Sequence, residues 1–244
     1  MHQPDNAAER FAGDVVADYR YGYQPAQLVD YLVPLAVAGT LANTQLDREI
    51  RDTWQQDIRG EFSNDVGRIF LEVGDAGQNK ISLPAYLLTM WASGYSGIDA
   101  QDNAVAIWAS RSARANLIGG PQAWALTYAL GAHRPGVGES DWAPWRDNDG
   151  VSGHAFYGAV PLLTAGHMSD SPGWRYTWYA LSVLPAVSRI NNDQHYTSQV
   201  VMGWSIAWLT TRNIAQREQG DQSGWQVQVL PFYKGGMVVF SYPL

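Results

Sequence analysis

Apolar helical stretches separated by short polar breaks run along most of this chain. Residues 25–43 carry Leu28, Val29, Leu32, Leu35 and Ala36 at helical spacing, and Asn43-Thr44 then opens a polar amphipathic stretch through Arg59, which predicts two successive helices. Residues 62–73 place Val66, Ile69, Phe70 and Val73 on one face behind a Ser63 cap, and Gly74-Asp75-Ala76-Gly77 is expected to break that helix. A helix over 83–95 opens with Pro84 in its first turn, and 102–130 continues helically with a bend at Gly119-Gly120-Pro121. Residues 136–150 are polar and aromatic and read as an exposed loop. Helices are expected at 152–168, 174–190 and 195–218, separated by Ser169-Asp170-Ser171-Pro172-Gly173 and by Asn191-Asn192-Asp193. Strand-like runs at 225–230 and 237–242 flank Lys234-Gly235-Gly236 and predict a small C-terminal β-hairpin. The expected fold class is therefore all-α, a helical bundle in a single domain over 1–244.

Composition sharpens this picture. At 244 residues the chain can bury one sizeable core. Hydrophobic residues make up 46% and charged residues 16%, below the roughly 25% charge of an average soluble domain, so helices should be buried on several sides. A formal charge of -7 with only two lysines, Lys80 and Lys234, leaves no basic field of the kind a nucleic-acid backbone requires, and nucleic acid is excluded as a partner. The absence of cysteine removes disulfides, thiolate metal sites and a cysteine nucleophile, and no metal site is expected. Residues 1–20 are polar and acidic, which excludes an intact signal peptide and fits a mature periplasmic or secreted chain lacking its leader. The charge-free stretches 81–98 and 151–169 reach membrane-spanning length but contain Pro84 or His154 among many Gly, Ser and Thr. With mean hydropathy at -0.24 they read as core helices, so no transmembrane anchor is expected.

Three short motifs carry the chemistry: Arg134-Pro135, then Ser152-Gly153-His154, then Ser188-Arg189 followed by His195 after a five-residue gap. Taken singly, each has an ordinary explanation, because most arginines are solvated, a serine before a helix is usually a cap and a lone histidine usually packs. Taken together they match the needs of a phosphoryl group in flight, whose charge spreads over three equatorial oxygens. The planar forks of Arg134 and Arg189 stay charged and can contact two oxygens at once. Ser152 and Gly153 precede a helix, where free backbone donors and the dipole favour an anion. Imidazoles at His154 and His195 suit nucleophilic and acid–base roles.

In order and spacing these motifs resemble the type 2 phosphatidic acid phosphatase superfamily, which includes bacterial acid phosphatases and vanadium haloperoxidases, over roughly residues 83–208. The resemblance implies a helical bundle with the motifs gathered at one end and a metal-independent hydrolysis of phosphomonoesters or diphosphates. It implies a phosphohistidine at His195, protonation of the leaving oxygen by His154, and phosphate binding by Arg134, Ser152, Gly153 and Arg189. The implied partner is a phosphorylated small molecule or lipid, with lipid or polyprenyl phosphates leading. No cofactor is implied for hydrolysis; in a haloperoxidase the same residues would hold vanadate. Three positions depart from the family pattern: Val151 stands for proline, Thr127 for a phosphate-binding lysine, and Gln199 for the aspartate that orients the third-motif histidine. Gln199 can still accept the Nδ1 proton, but an amide stabilises an imidazolium less than a carboxylate does. The loss of a charge-assisted contact costs about 1.5–3 kcal/mol, so each of the last two departures is expected to slow turnover roughly ten- to hundredfold. A degenerate, non-catalytic anion-binding module is the remaining alternative. His133 and His167 are expected to be structural, Trp174, Trp178, Trp204 and Trp208 to pack, and Trp142 and Trp145 to contact an apolar or sugar portion of the substrate.

Overall fold

The computed structural model describes residues 6–78, 81–96, 103–220, 226–232 and 235–241. The chain forms α1 (Ala7–Gly22), α2 (Pro25–Val29), α3 (Leu32–Ala42), α4 (Leu46–Thr53), a π-helical turn (Trp54–Ile58), α5 (Glu61–Gln78), α6 (Ser82–Ala92), α7 (Ala104–Leu130), α8 (Gly153–His167), α9 (Pro172–Ser182), α10 (Leu184–Asn191) and α11 (Thr197–Gln219). The hairpin β1 (Gln226–Phe232) and β2 (Gly235–Ser241) follows, with Gln226 paired to Ser241 and Phe232 to Gly235. The molecule is all-α, with the small terminal hairpin that the sequence predicts.

The core sits where α8 crosses α11. Phe156, Ala159, Val160 and Leu163 of α8 recur on a helical face and meet Met202, Ile206 and Leu209 of α11, all buried. Gly203 makes this crossing close: a Cβ there would collide with the Ser152 carbonyl and the Ala155 side chain. α3 and α7 complete the cluster through Ala38, Ala115 and Ile118. At its far side, α1, α7 and α11 are joined by ion pairs. Arg114 bonds Asp18 and Glu218, Arg217 also reaches Asp18, and Arg111 donates to Glu218 at 2.7 Å.

Several elements differ from expectation for identifiable reasons. α1 forms in a segment read only as polar and acidic: Phe11 packs against the buried Tyr86, Ala109 and Ala113, and Asp14 and Asp18 find arginines on other helices. The expected 25–43 helix is interrupted at Asp30-Tyr31, and the expected 174–190 helix divides at Val183. There Pro185, which has no N–H to continue the helix before it, occupies the first turn of α10. α5 runs through Gly74 and Asp75 instead of stopping, since Gly74 lets the helix lie against His154. α7 is continuous across Gly119-Gly120-Pro121. The 136–150 loop is anchored as well as exposed: Ser140 is buried and donates to the Ala42 carbonyl, and the Trp142 N–H donates to Asn43. α8 is the core helix expected, whereas α6 buries Tyr86 but exposes Leu88 and Trp91. Trp204 and Trp208 stack as packing residues, while Trp174 is 63% exposed. Among the described residues, Pro25–Ala42 is the stretch long and apolar enough to cross a membrane by length and composition, and 22% of it is buried.

Candidate functional site

The motif residues lie at the ends of helices that the core brings together. Arg134 follows α7, Ser152 caps α8, Gly153 and His154 open α8, Arg189 lies in the last turn of α10, and His195 precedes α11. Ser152 is fully buried; its Oγ accepts from the Ala155 N–H at 3.4 Å, and its own N–H donates to the Gln199 carbonyl at 3.0 Å. That second bond, with the close approach at Gly203, ties the second motif to the third. The first-turn N–H groups of Gly153 and His154 have no carbonyl one turn before them, which leaves donors at this helix end.

His195 is 4% exposed and its Nδ1 lies 2.8 Å from Gln199 Oε1. The direction of that bond is fixed by two backbone partners. Gln199 Oε1 also accepts the Tyr196 N–H at 3.1 Å, and Gln199 Nε2 donates to the His133 carbonyl at 2.7 Å. A backbone N–H can only donate and a carbonyl can only accept, so the amide cannot flip and Nδ1 must carry the proton. The Nε2 lone pair is therefore free. Burial, followed by Arg134, Arg189 and His154, holds the imidazole down to about 3 against the raising effect of Gln199. His195 is neutral throughout ordinary pH.

His154 differs. Its Nε2 bonds the carboxylate of Asp75, which α5 delivers. Burial, Arg189 and Arg134 lower its pKa below the usual histidine value, and Asp75 opposes them. Arg189 is 7% exposed, its Nε has no hydrogen-bond partner, and burial and Arg134 lower its pKa while Asp75 raises it. Arg134 donates from Nε to Asp149 at 2.7 Å. Arg134 and Arg189 thus both act on His154 and on His195.

A pocket of about 220 Å³ opens at this end, with Arg134, Gly153 and His195 in its wall together with Trp124, Tyr128 and Tyr157. Ser152, His154 and Arg189 do not line it, and the last two act on it through their charge and position. Thr127 does line it, with its hydroxyl turned back to the Ala123 carbonyl at 2.8 Å, so no cation stands there. Val151 forms part of the wall. Lys80 and Lys234 lie outside the described residues. His133 contacts Asp147 at 3.2 Å and accepts from Gln199, while the Nδ1 of His167 lies 2.9 Å from the Tyr179 hydroxyl; both positions are structural. Trp142 packs on the core instead of facing the pocket, which corrects its expected substrate contact. Asp75, Asp149 and Trp124 are site residues that the sequence did not single out. Trp124 could have been found from its place one turn before Thr127 on the same helix. Among the described residues no group of three or more His, Asp or Glu side chains is arranged to hold a metal ion.

Residues 113–220 match the model of the PAP2 superfamily. No curated protein and no solved structure matches the chain.

Proposed function

We propose that the chain hydrolyses phosphomonoesters or diphosphates through a phosphohistidine at His195, without a metal; the match of residues 113–220 to the PAP2 superfamily supports a phosphatase-type function in general. One observation carries the reading. Among the described residues Arg189 is a buried guanidinium that forms no ion pair with a carboxylate, unlike the also buried Arg114, and it acts electrostatically on both His154 and His195. An uncompensated buried charge costs several kcal/mol, and a bound phosphate would compensate it.

In this mechanism the His195 Nε2 lone pair attacks phosphorus while Gln199 holds the Nδ1 proton. The ester P–O bond breaks, and the proton on His154 passes to the departing oxygen. Arg134, Arg189 and the donors at the start of α8 stabilise the equatorial oxygens. Water then attacks the phosphohistidine and gives a proton to His154, releasing inorganic phosphate and restoring the His195 imidazole and the protonated His154. His195 must be neutral and His154 protonated, so kcat/KM should rise through about 3 and fall through a value below 6.5, giving an acid optimum. Thr127 and Gln199 withhold two charge-assisted contacts, which supports modest turnover and equally suits an anion-binding module without catalysis.

Phosphate release from a panel of phosphate esters, measured on the native chain and on His195→Ala, tests the proposal. Loss of about 10³-fold or more is expected for the variant. Equal release by both removes His195 as nucleophile, and phosphate binding by the native chain with no release from any ester establishes the non-catalytic module.

A further inference from the structure

The outer wall of the pocket is built from rings. On α7, Gly120, Ala123, Trp124, Thr127 and Tyr128 follow helical spacing and face the pocket together. Trp124 is 66% exposed although it lines a pocket, and its ring meets that of Tyr128 edge-on at 5.1 Å. Across from them stands Tyr157 of α8. Gly120 lets that ring lie close over α7, since a Cβ there would come 2.9 Å from the Tyr157 hydroxyl. Tyr128 is braced from the loop, where Trp145 donates its N–H to the Tyr128 carbonyl at 2.9 Å while held at φ 64°. A non-glycine residue in that backbone region is uncommon and costs free energy, so the surroundings fix the loop against α7.

Arg134 and His195, the groups that would hold a phosphate, share the pocket wall with these rings. The ester group of a phosphate held by Arg134 and His195 therefore lies in a pocket whose remaining wall is rich in rings. Asp149 is the carboxylate among the lining residues and is bonded to Arg134, so it does not read a charged leaving group. A long alkyl chain finds little support here. The apolar groove of about 410 Å³, between α5, the π-helical turn and α10, shares no lining residue with this pocket. Ring faces of Trp and Tyr instead suit a flat partner, because stacking buries exposed aromatic surface without needing a specific polar match.

Resting on the phosphatase reading above, we propose that the leaving-group side of this pocket is an aromatic subsite, with Trp124 as its principal stacking surface, and that the preferred substrates are monophosphates of planar aromatic groups, aryl or nucleobase-bearing. Trp124 determines specificity here and takes no part in bond breaking.

The test compares 2-naphthyl phosphate, a nucleoside 5′-monophosphate, glycerol 2-phosphate and a short-chain phosphatidate on the native chain, Trp124→Ala and Trp124→Phe. For Trp124→Ala, kcat/KM on 2-naphthyl phosphate is expected to fall about tenfold, mainly through KM, with glycerol 2-phosphate within about twofold and Trp124→Phe close to native. The nucleotide arm separates the two sources of the ring: a matching loss there extends the subsite to nucleobases, and no loss restricts it to aryl esters. Binding of naphthylmethylphosphonate against methylphosphonate by calorimetry runs the same comparison without turnover, so absence of hydrolysis overturns the phosphatase reading and leaves the subsite tested. An unchanged preference between aryl and alkyl ligands in Trp124→Ala overturns the proposal. So does an equal loss for all ligands, or a phosphatidate turned over faster than the aryl ester and indifferent to Trp124.

Discussion

Arg114 and Arg189 are the two buried arginines among the described residues, at 0% and 7% exposure, and what surrounds them is opposite. Arg114 meets the carboxylates of Asp18 and Glu218, which Arg217 and Arg111 also reach. Its charge is neutralised by the chain itself, and the result is a clasp between α1, α7 and α11. Arg189 has imidazoles and a second arginine for neighbours, and the nearest counter-charge, Asp75, is already bonded to His154. Both guanidinium Nε atoms lack a hydrogen-bond partner, but Arg114 has carboxylate counter-charges of its own and Arg189 has none bonded to it. A buried cation without its own counter-ion weakens a fold, so its presence is explained better by a ligand than by stability.

The sharpest test of that contrast is Arg189→Met. If the charge serves an anion, kcat/KM should drop about 10²–10³-fold while the free energy of unfolding stays level or rises. A stability loss in urea denaturation would place Arg189 with the structural arginines. Arg114→Met should do the reverse: about 3 kcal/mol of stability is expected to go, with the per-molecule activity of the folded fraction retained. Loss of activity in fully folded Arg114→Met would break the division between the two clusters. The smallest effect is expected from Asp75→Asn. Asp75 raises the His154 pKa, so removing its charge lowers that pKa and moves the alkaline limb of kcat/KM to lower pH. Inorganic phosphate should also inhibit more tightly, because Arg189 loses its nearest opposing charge. A limb that does not move would show that Asp75 is outside the proton path.

The parts of the site legible in sequence are those whose geometry is local. Ser152-Gly153-His154 opens a helix, so the sequence already predicts a cap, and the resemblance places Gln199, one turn after His195, where it can accept the imidazole proton. Asp75 was hidden because Gly74-Asp75-Ala76-Gly77 has the composition of a break. In the fold, Gly74 serves close packing instead, with a Cβ there only 3.2 Å from His154, and α5 carries Asp75 onward to a partner 79 residues away. Spacing likewise cannot tell which side of a helix meets the core. Trp124 and Trp174 are about equally exposed, at 66% and 63%, yet the first lines the pocket and the second does not. α1 was masked by its polar and acidic composition, although Phe11, Val15 and Tyr19 stand at helical spacing and Phe11 packs on a buried cluster. The divided α9 and α10 were readable, for Pro185 interrupts the apolar pattern and should have set the boundary.

Asp18 and Arg217 are 199 positions apart. Closing so long a loop carries a large entropic cost before any contact rewards it, so this junction belongs among the late events of folding. α11 also supplies Gln199 and Gly203, the residues that set the His195 tautomer and seat α8. A nascent chain that has not yet delivered α11 therefore has neither the His195 imidazole oriented nor its helix crossing made, and on the proposed reading any activity would await the synthesis of α11.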